Sequence, residues 1–242
     1  MRKVKLYNGK EIYLYDEGEF ISDLIARQKL YFEEDTLREI VKRYDVSYVV
    51  DIGANIGNHA HFFVNNCGSH VYCFEPSATN YQLLKLNCPD QIILKIALGD
   101  KVGTASLITY ESCKGNNTIG ELWKAPPDWG TGMQKEEVVV ARLDDFNLPT
   151  ITFIKIDVEG SELRVLKGAL DTIRIHQPVV AIEMHSDQTL RDASFEYKRS
   201  DIIEHMKSIG YIVDFVDIYG NHFFQPVPAE NWIESIGKTI VF

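Results

Sequence analysis

The chain contains no long uninterrupted run of apolar residues. No window approaches the roughly 18 apolar residues that mark a membrane-spanning helix. The opening segment MRKVKLYNGKEIYLY has two early basic residues but no continuous apolar stretch after them, which is not the pattern of a secretory signal. We therefore expect no membrane span and predict an untargeted, cytoplasmic protein.

The chain also lacks a basic excess and a cysteine motif. Its 25 Lys and Arg against 35 Asp and Glu give a net charge of −10, which repels a phosphate backbone and argues against a nucleic-acid partner. The four cysteines show no C-x-x-C spacing, so we expect reduced, structural thiols. No ligand spacing demands a metal, and we expect none.

The 242 residues, 45% of them hydrophobic, suffice for one large α/β domain. Two alternating runs around Asn8-Gly9 predict a β-hairpin with a type I′ turn. EEDTLREIVKRY has apolar residues at helical spacing, with acids first and bases last, and predicts a helix. We expect residues 1–47 to pack as hairpin and helix on a main domain of residues 48–242, in a single folded unit.

From residue 48 to about 184, short apolar strands alternate with helices. The predicted strands are YVVDIG, HVYCFE, QIILKIAL, ITFIKID and PVVAIEMH, and the predicted helices are NHAHFFVNN, ATNYQLLKLN and SELRVLKGAL. This alternation predicts a doubly wound, mostly parallel α/β sheet. GTASLITY and KEEVVVARL predict an inserted strand pair. The tail predicts the helix SDIIEHMKSIG and an antiparallel edge hairpin formed by YIVDFVDIYG, a turn at Gly220-Asn221, and TIVF.

The segment 111–135, between the two inserted strands, is rich in Gly, Pro and Trp and has little periodicity. A loop this long inside a compact domain is more often a lid or binding loop than a linker. We predict that it contacts substrate, with Trp123 and Trp129 as apolar anchors. The alternative is a solvated insertion.

The segment VVDIGANIG, residues 49–57, predicts a glycine turn between the first strand of the parallel sheet and its helix. It is neither G-x-G-x-x-G, because positions 55 and 58 are Asn, nor a phosphate-binding P-loop. Glu75 ends the next strand and can accept both hydroxyls of a ribose. Glycines let a ligand approach the backbone, and Asn tolerates the left-handed conformation. S-adenosylmethionine fits this pattern, with predicted contacts at Asp51, Gly53, Asn55, Gly57 and Glu75.

Two further pairs of polar residues follow strands of the predicted sheet. Asp157 with Glu159, and Glu183 with His185, are spaced to project from one face as each strand ends. Together they would provide a general base or hold a hard cation. The alternatives are helix capping for the first pair and a satisfied polar pair at a sheet edge for the second. His59 is a weaker candidate for the pocket lining.

The motifs VVDIGANIGNHAHFF, VYCFEP, IALGDKVGTASL, LDDF, FIKIDVEGSELRVLKGA and VVAIEMH occur in this order between residues 48 and 185. The chain thereby resembles the FkbM family of S-adenosylmethionine-dependent methyltransferases. The resemblance implies a seven-stranded Rossmann-like methyltransferase fold and O-methylation of a hydroxyl on a sugar or small metabolite. It also implies cofactor contacts at the five residues of the glycine turn and second strand, and at Pro76, Ala97, Leu98 and Asp100.

Other functions remain open at this point. One alternative is an NAD-dependent oxidoreductase or sugar-modifying enzyme on the same sheet, and another is a non-catalytic cofactor-binding module. An N-methyltransferase would be expected to carry an Asn/Asp-Pro-Pro-Tyr tetrapeptide, which the chain lacks. The expected partner is a small-molecule or carbohydrate acceptor, and a homo-oligomer is compatible with the sequence.

Overall fold

The computed structural model describes residues 1–110, 117–119, 133–187, 190 and 197–228. Within them the strands are β1 (Arg2–Lys5), β2 (Glu11–Leu14), β3 (Tyr48–Ile52), β4 (His70–Phe74), β5 (Ile92–Leu94), β6 (Ala97–Leu98), β7 (Gly103–Tyr110), β8 (Thr118–Ile119), β9 (Met133–Ala141), β10 (Phe153–Ile156), β11 (Val179–Glu183), β12 (Tyr211–Val216) and β13 (Asn221–Pro226). The helices are α1 (Phe20–Gln28), α2 (Glu34–Arg43), α3 (Asn58–Cys67), α4 (Ala78–Asn87), α5 (Glu162–Lys167), α6 (Leu170–His176) and α7 (Arg199–Ser208), with a 3₁₀ turn at Leu143–Asp145.

A seven-stranded sheet in the order β12-β13-β11-β10-β3-β4-β5 forms the centre of the molecule. Its five strands from β11 to β5 are parallel, whereas β13 runs antiparallel to β11 and pairs with β12 in an edge hairpin. One apolar core joins one face to α3, α4 and the N-terminal segment, and a second joins the other face to α5, α6 and α7. The sheet confirms the predicted doubly wound fold. Its strand order reverses between β3 and β10, where ligands bind in such sheets.

The N-terminal hairpin is confirmed, but its predicted type I′ turn is wrong. Gly9 is left-handed with φ +84°, and Asn8 is not. The Leu6 N–H donates to the Lys10 carbonyl oxygen across a three-residue loop, which is the arrangement of a hairpin with a bulge. The prediction also missed α1, which follows a Glu19 side chain that accepts from two backbone N–H groups of its first turn.

Side-chain amides of the main domain hold the N-terminal segment in place. Asn58 accepts from the Phe32 N–H and donates to the Phe32 carbonyl oxygen, both at 3.0 Å. Asn87 makes the same two contacts with Tyr13, at 2.7 and 2.9 Å. Buried Ile12 and Leu14 join the core formed by β3, α3 and α4. These contacts support our proposal that residues 1–47 and 48–242 form one folded unit.

Three predicted elements differ from the observed ones. QIILKIAL is divided into β5, in the main sheet, and β6, which joins the second sheet β6-β9-β7-β8. SELRVLKGAL breaks into α5 and α6 at Gly168, where a Cβ atom would overlap the carbonyl oxygen of Gly99. Asn221, predicted in the turn, begins β13 instead.

The inserted antiparallel pair β7 and β9 is confirmed. The TIVF segment, Trp123, Trp129 and most of the predicted lid lie outside the described residues. Among the helices described above, none has the length and apolar character needed to cross a bilayer.

Candidate active site

The glycine turn after β3 packs against the end of β10 and against α4. Gly53, Asn55 and Gly57 all have positive φ, at +81°, +51° and +87°. A Cβ atom on Gly53 would overlap the carbonyl oxygen of Asp157, and one on Gly57 would lie 2.7 Å from a methyl carbon of Leu84. Packing against other parts of the chain therefore by itself requires glycine at these two positions.

A cavity lies beside this turn. Residues predicted to contact cofactor contribute to its lining: Gly53, Asn55, Glu75, Pro76, Ala97 and Leu98. Phe74, Ile96 and Leu107 give it apolar walls. Gly57, Asp51 and Asp100 do not line it. This mixture of apolar walls with few polar groups is typical of a small-molecule site.

Glu75 is one of the carboxyl groups that line this first cavity, and its side chain is held in place. Its Oε2 accepts from the Asn55 N–H at 2.9 Å, and its Oε1 accepts from the Ser77 N–H at 2.9 Å and from Asn80 at 3.4 Å. Burial raises the pKa of Glu75 to about 7, although these hydrogen bonds oppose the shift. The carboxylate oxygens retain acceptor capacity for a ligand diol.

Asp51 lies behind the turn and is completely buried within β3. Neither of its carboxylate oxygens accepts a hydrogen bond of ordinary geometry from the described residues. Burial raises the pKa of Asp51, while the positive charge of Lys155 opposes the rise. Lys155 is its register partner on β10.

Asn117 is a residue of the first cavity that the sequence did not single out. It lines the wall beside Leu107, and neither its side-chain oxygen nor its nitrogen has a partner among the described residues. A buried amide without partners usually costs free energy, so this one is well suited to a ligand that both donates and accepts. Asn117 lies in the aperiodic segment between β7 and β9. The length of that loop predicts substrate contact for the whole segment, but nothing in the sequence points to Asn117 itself.

A second cavity also borders the turn. It shares four lining residues with the first, namely Gly53, Asn55, Asp157 and Glu159. Phe20, Ile21, Phe32 and Glu33 of the N-terminal segment close one side of it, and Lys155, Glu183 and His59 lie on the other. The two cavities therefore meet at the strand-end carboxylates.

Asp157 sits at this junction in an ionised pair with Lys155. Its Oδ2 lies 2.8 Å from Lys155 Nζ. Burial would raise the pKa of Asp157, but the charge and hydrogen bond of Lys155 outweigh it and hold the pKa below its usual value. Burial lowers the pKa of Lys155, but the negative charges of Asp157 and Asp51 raise it by more. The net shift is therefore upward. The alternative role predicted for Asp157 is helix capping. Its side chain instead interacts with Lys155 and Glu183.

Glu183 at the end of β11 is the protonated member of the group. The negative charge of Asp157 and then burial raise the pKa of Glu183 to about 10. A protonated carboxyl can donate, and Asp157 is the neighbouring carboxylate that would accept from Glu183. The result is two adjacent carboxyl groups with opposite protonation states at neutral pH, an arrangement that occurs in acid–base sites.

Glu159 and His185 come from different predicted pairs, and they contact each other across strands. Glu159 adopts φ +52°, and its Oε2 lies 2.9 Å from His185 Nε2. Burial lowers the pKa of His185, but the hydrogen bond and charge of Glu159 outweigh it and raise the pKa to about 9. His185 lines neither cavity, so it contacts Glu159 from behind.

The structure adds Lys155 and Glu33 to the predicted site and retains His59. Lys155 is a cation within the buried strand FIKI, and a charge in such an apolar run is a signal that can be read from the sequence. Glu33 gave no signal, because its position depends on how the N-terminal segment folds back. Its Oε2 lies 3.4 Å from His59 Nε2.

Comparisons with known proteins show what this chain is similar to. A family model described as a methyltransferase FkbM domain matches residues 51–213. The hexuronic acid methyltransferase AglP of Haloferax volcanii is 25% identical over 198 residues, which cover 76% of this chain and 75% of the relative. Methyltransferase 1 of Beauveria bassiana is 26% identical over 177 residues, or 64% and 68% of the two chains.

Among solved structures, this chain is similar to the methyltransferase FkbM from Methylobacillus flagellatus, at 24% identity and a TM-score of 0.48. The match covers 81% of this chain and 46% of that chain. This chain therefore spans less than half the length of that protein.

Proposed function

The chain belongs to the FkbM methyltransferase family, and we propose that it transfers a methyl group to a hydroxyl of a sugar or another small metabolite. The methyl donor is S-adenosylmethionine. The observation that carries the proposal is the meeting of two cavities at Asp157 and Glu159. The family membership argues against the nicotinamide-dependent alternative.

The first cavity fits the methyl donor. Its apolar walls suit an adenosine, Glu75 is placed to accept the ribose hydroxyls, and Asn117 can pair with a polar edge of the base. Asp51 lies behind the turn, where its buried charge favours the cationic end of the donor. When bound, S-adenosylmethionine supplies an electrophilic methyl group for an in-line displacement.

In the second cavity, we assign Asp157 as the group that accepts the hydroxyl proton. Lys155 keeps Asp157 ionised and fixes its orientation. Glu183, protonated beside it, would stabilise the same carboxylate by hydrogen bonding. Glu159, fixed by His185, would orient the acceptor from the other side of the junction. General-base assistance of this kind contributes about 10²–10⁴-fold to a rate.

The proposal is tested by incubating the protein with methyl-labelled S-adenosylmethionine and a panel of hydroxylated sugars and small metabolites. We expect S-adenosylhomocysteine and a labelled product that survives mild alkali, because a methyl ether is stable where a methyl ester hydrolyses. A labile ester product would instead assign a carboxylate acceptor. Binding of S-adenosylhomocysteine without any labelled product would favour the non-catalytic module.

Replacing Glu75 with glutamine should weaken S-adenosylhomocysteine binding by about 10–100-fold, the loss expected for hydrogen bonds to a charged group. The amide nitrogen would also face one of the backbone N–H groups that now donate to the carboxylate. Calorimetric titration measures the effect. Glu204→Gln, the same exchange at an exposed position of α7, should bind like the wild type. Equal affinity in both variants would remove Glu75 from the cofactor site.

The same affinity should increase with pH from about 5.5 to 7.5 and then level off. Glu75 has a pKa raised to about 7, so below that pH the free protein carries a proton on Glu75. Ligand hydroxyls donate best to the ionised form, and binding must then release that proton. Titrations across this range should show the rise in the wild type and a smaller one in Glu75→Gln. Parallel curves would assign the pH dependence to another group.

A further inference from the structure

Glu33 holds an unusual backbone conformation at the second cavity. Five non-glycine residues among those described have positive φ: Lys29, Glu33, Asn55, Glu159 and Gln177. Lys29 and Gln177 end helices α1 and α6, where the left-handed conformation is common. The other three all line the second cavity. Such conformations cost free energy and cluster at functional sites, so Glu33 belongs with the two site residues.

The surroundings of Glu33 combine a carboxylate with aromatic rings. Its side chain is only 7% exposed, and its Oε2 lies 3.4 Å from His59 Nε2. Phe20 and Phe32 line the same cavity, and Phe20 is 61% exposed. The faces of aromatic rings attract cations as well as the apolar faces of sugar rings. A carboxylate beside such rings is a common arrangement for recognising an organic ammonium group.

Four carboxyl groups line this cavity, those of Glu33, Asp157, Glu159 and Glu183, against one lysine. The carboxyl groups of Asp157, Glu159 and Glu33 all raise the pKa of Glu183, and Lys155 is the cation that opposes them. Lys155 is already paired with Asp157, and His185 with Glu159. Glu33, in contrast, is paired with neither of these two cations, and its carboxylate faces the imidazole of His59 at 3.4 Å. A carboxylate or phosphate on the acceptor would be repelled here.

We propose that the acceptor is a polyhydroxylated molecule bearing an ammonium group, and that Glu33 binds this ammonium in the second cavity. The inference rests on the proposed function, since it takes the second cavity as the acceptor site. Asn58 supports the arrangement as a positioning residue: it lines the cavity and holds the backbone of Phe32, the residue before Glu33, through two hydrogen bonds.

The test uses three monosaccharides that differ in charge, namely glucosamine, N-acetylglucosamine and glucuronate. Each is titrated into the full-length protein saturated with S-adenosylhomocysteine, with binding followed by NMR. We expect glucosamine to bind about tenfold tighter than N-acetylglucosamine, and glucuronate to bind most weakly. Glu33→Gln should lower the affinity for glucosamine about tenfold while changing that for N-acetylglucosamine by about twofold or less.

Asp35→Asn is the matched control, because it removes an exposed acid of α2 two residues away and should leave the order of the three sugars unchanged. Glucosamine binding no tighter than N-acetylglucosamine, an unchanged order in Glu33→Gln, or no binding of any sugar would overturn the inference. If S-adenosylhomocysteine also fails to bind the wild type, the proposed function fails too. Normal S-adenosylhomocysteine binding to each variant excludes misfolding as the cause.

Discussion

Replacing Asp157 with asparagine should lower methyl transfer by about 10²–10⁴-fold, the contribution of a general base. Asparagine has nearly the same shape, but it cannot take a proton from the acceptor hydroxyl. Because Asp157 only borders the first cavity, S-adenosylhomocysteine should bind with an affinity within about threefold of the wild type. The measurement is turnover of an acceptor that the wild type methylates, together with calorimetric titration of the cofactor product.

The same variant should remain folded because the charges around Lys155 can rearrange. Breaking a buried ion pair typically costs about 3–5 kcal/mol, since one charge is left without a partner. Here Asp157 is the largest cause of the raised pKa of Glu183. Without that charge, Glu183 ionises more readily and supplies a new anion near Lys155. We therefore expect Asp157→Asn to lower the free energy of unfolding by less than about 3 kcal/mol.

Asp144→Asn serves as the control for Asp157→Asn. Asp144 accepts from the backbone N–H groups of Asp171 and Thr172 at the start of α6, at 3.2 and 2.8 Å, far from the two cavities. The exchange weakens a helix cap and should leave turnover per folded molecule unchanged. If turnover of Asp157→Asn is within a few-fold of the wild type, Asp157 serves only as a member of a structural ion pair.

The parts of the fold that follow local rules could be predicted from the sequence. Strands β3, β4, β10 and β11 are short apolar runs, and the acids at their ends fall on one edge because parallel strands end together. The boundary between β5 and β6 could not be read from QIILKIAL, because the change of sheet depends on pairing between Ala97 and Val140, far along the chain. Periodicity describes an element and not its partner.

The site was predicted where a motif carried it and missed where distant segments meet. Glu75 and Asp157 follow strands with recognisable sequence. Glu33 and Phe32 reach the second cavity only because the N-terminal segment folds over α3, held by Asn58. Lys155 was readable as a charge in a buried strand, and its role depends on the neighbouring Asp51 and on Asp157. Contacts of this kind are set by tertiary packing.

Replacing Gly53 with alanine should destabilise the protein by about 3 kcal/mol or more, combining strain at positive φ with overpacking. Gly53 has φ +81°, and a Cβ atom there would overlap the carbonyl oxygen of Asp157. The blocking atom belongs to the backbone, so it cannot rotate away as a side chain would. Relief requires β3 and β10 to move apart at their ends, which displaces Asp157 from the junction. Turnover should therefore fall together with stability.

Gly68→Ala separates the two causes, because Gly68 has a similar φ of +71° and no atom within 4 Å of the added Cβ. It should cost about 1 kcal/mol from backbone strain alone. Denaturant unfolding of both variants measures the difference, which is the cost of the clash with Asp157. If the two variants lose equal stability, the contact between the glycine turn and the end of β10 is looser than the structure has it. A larger loss in Gly53→Ala would show that the same glycine that permits the turn also sets the position of the carboxylate between the two cavities.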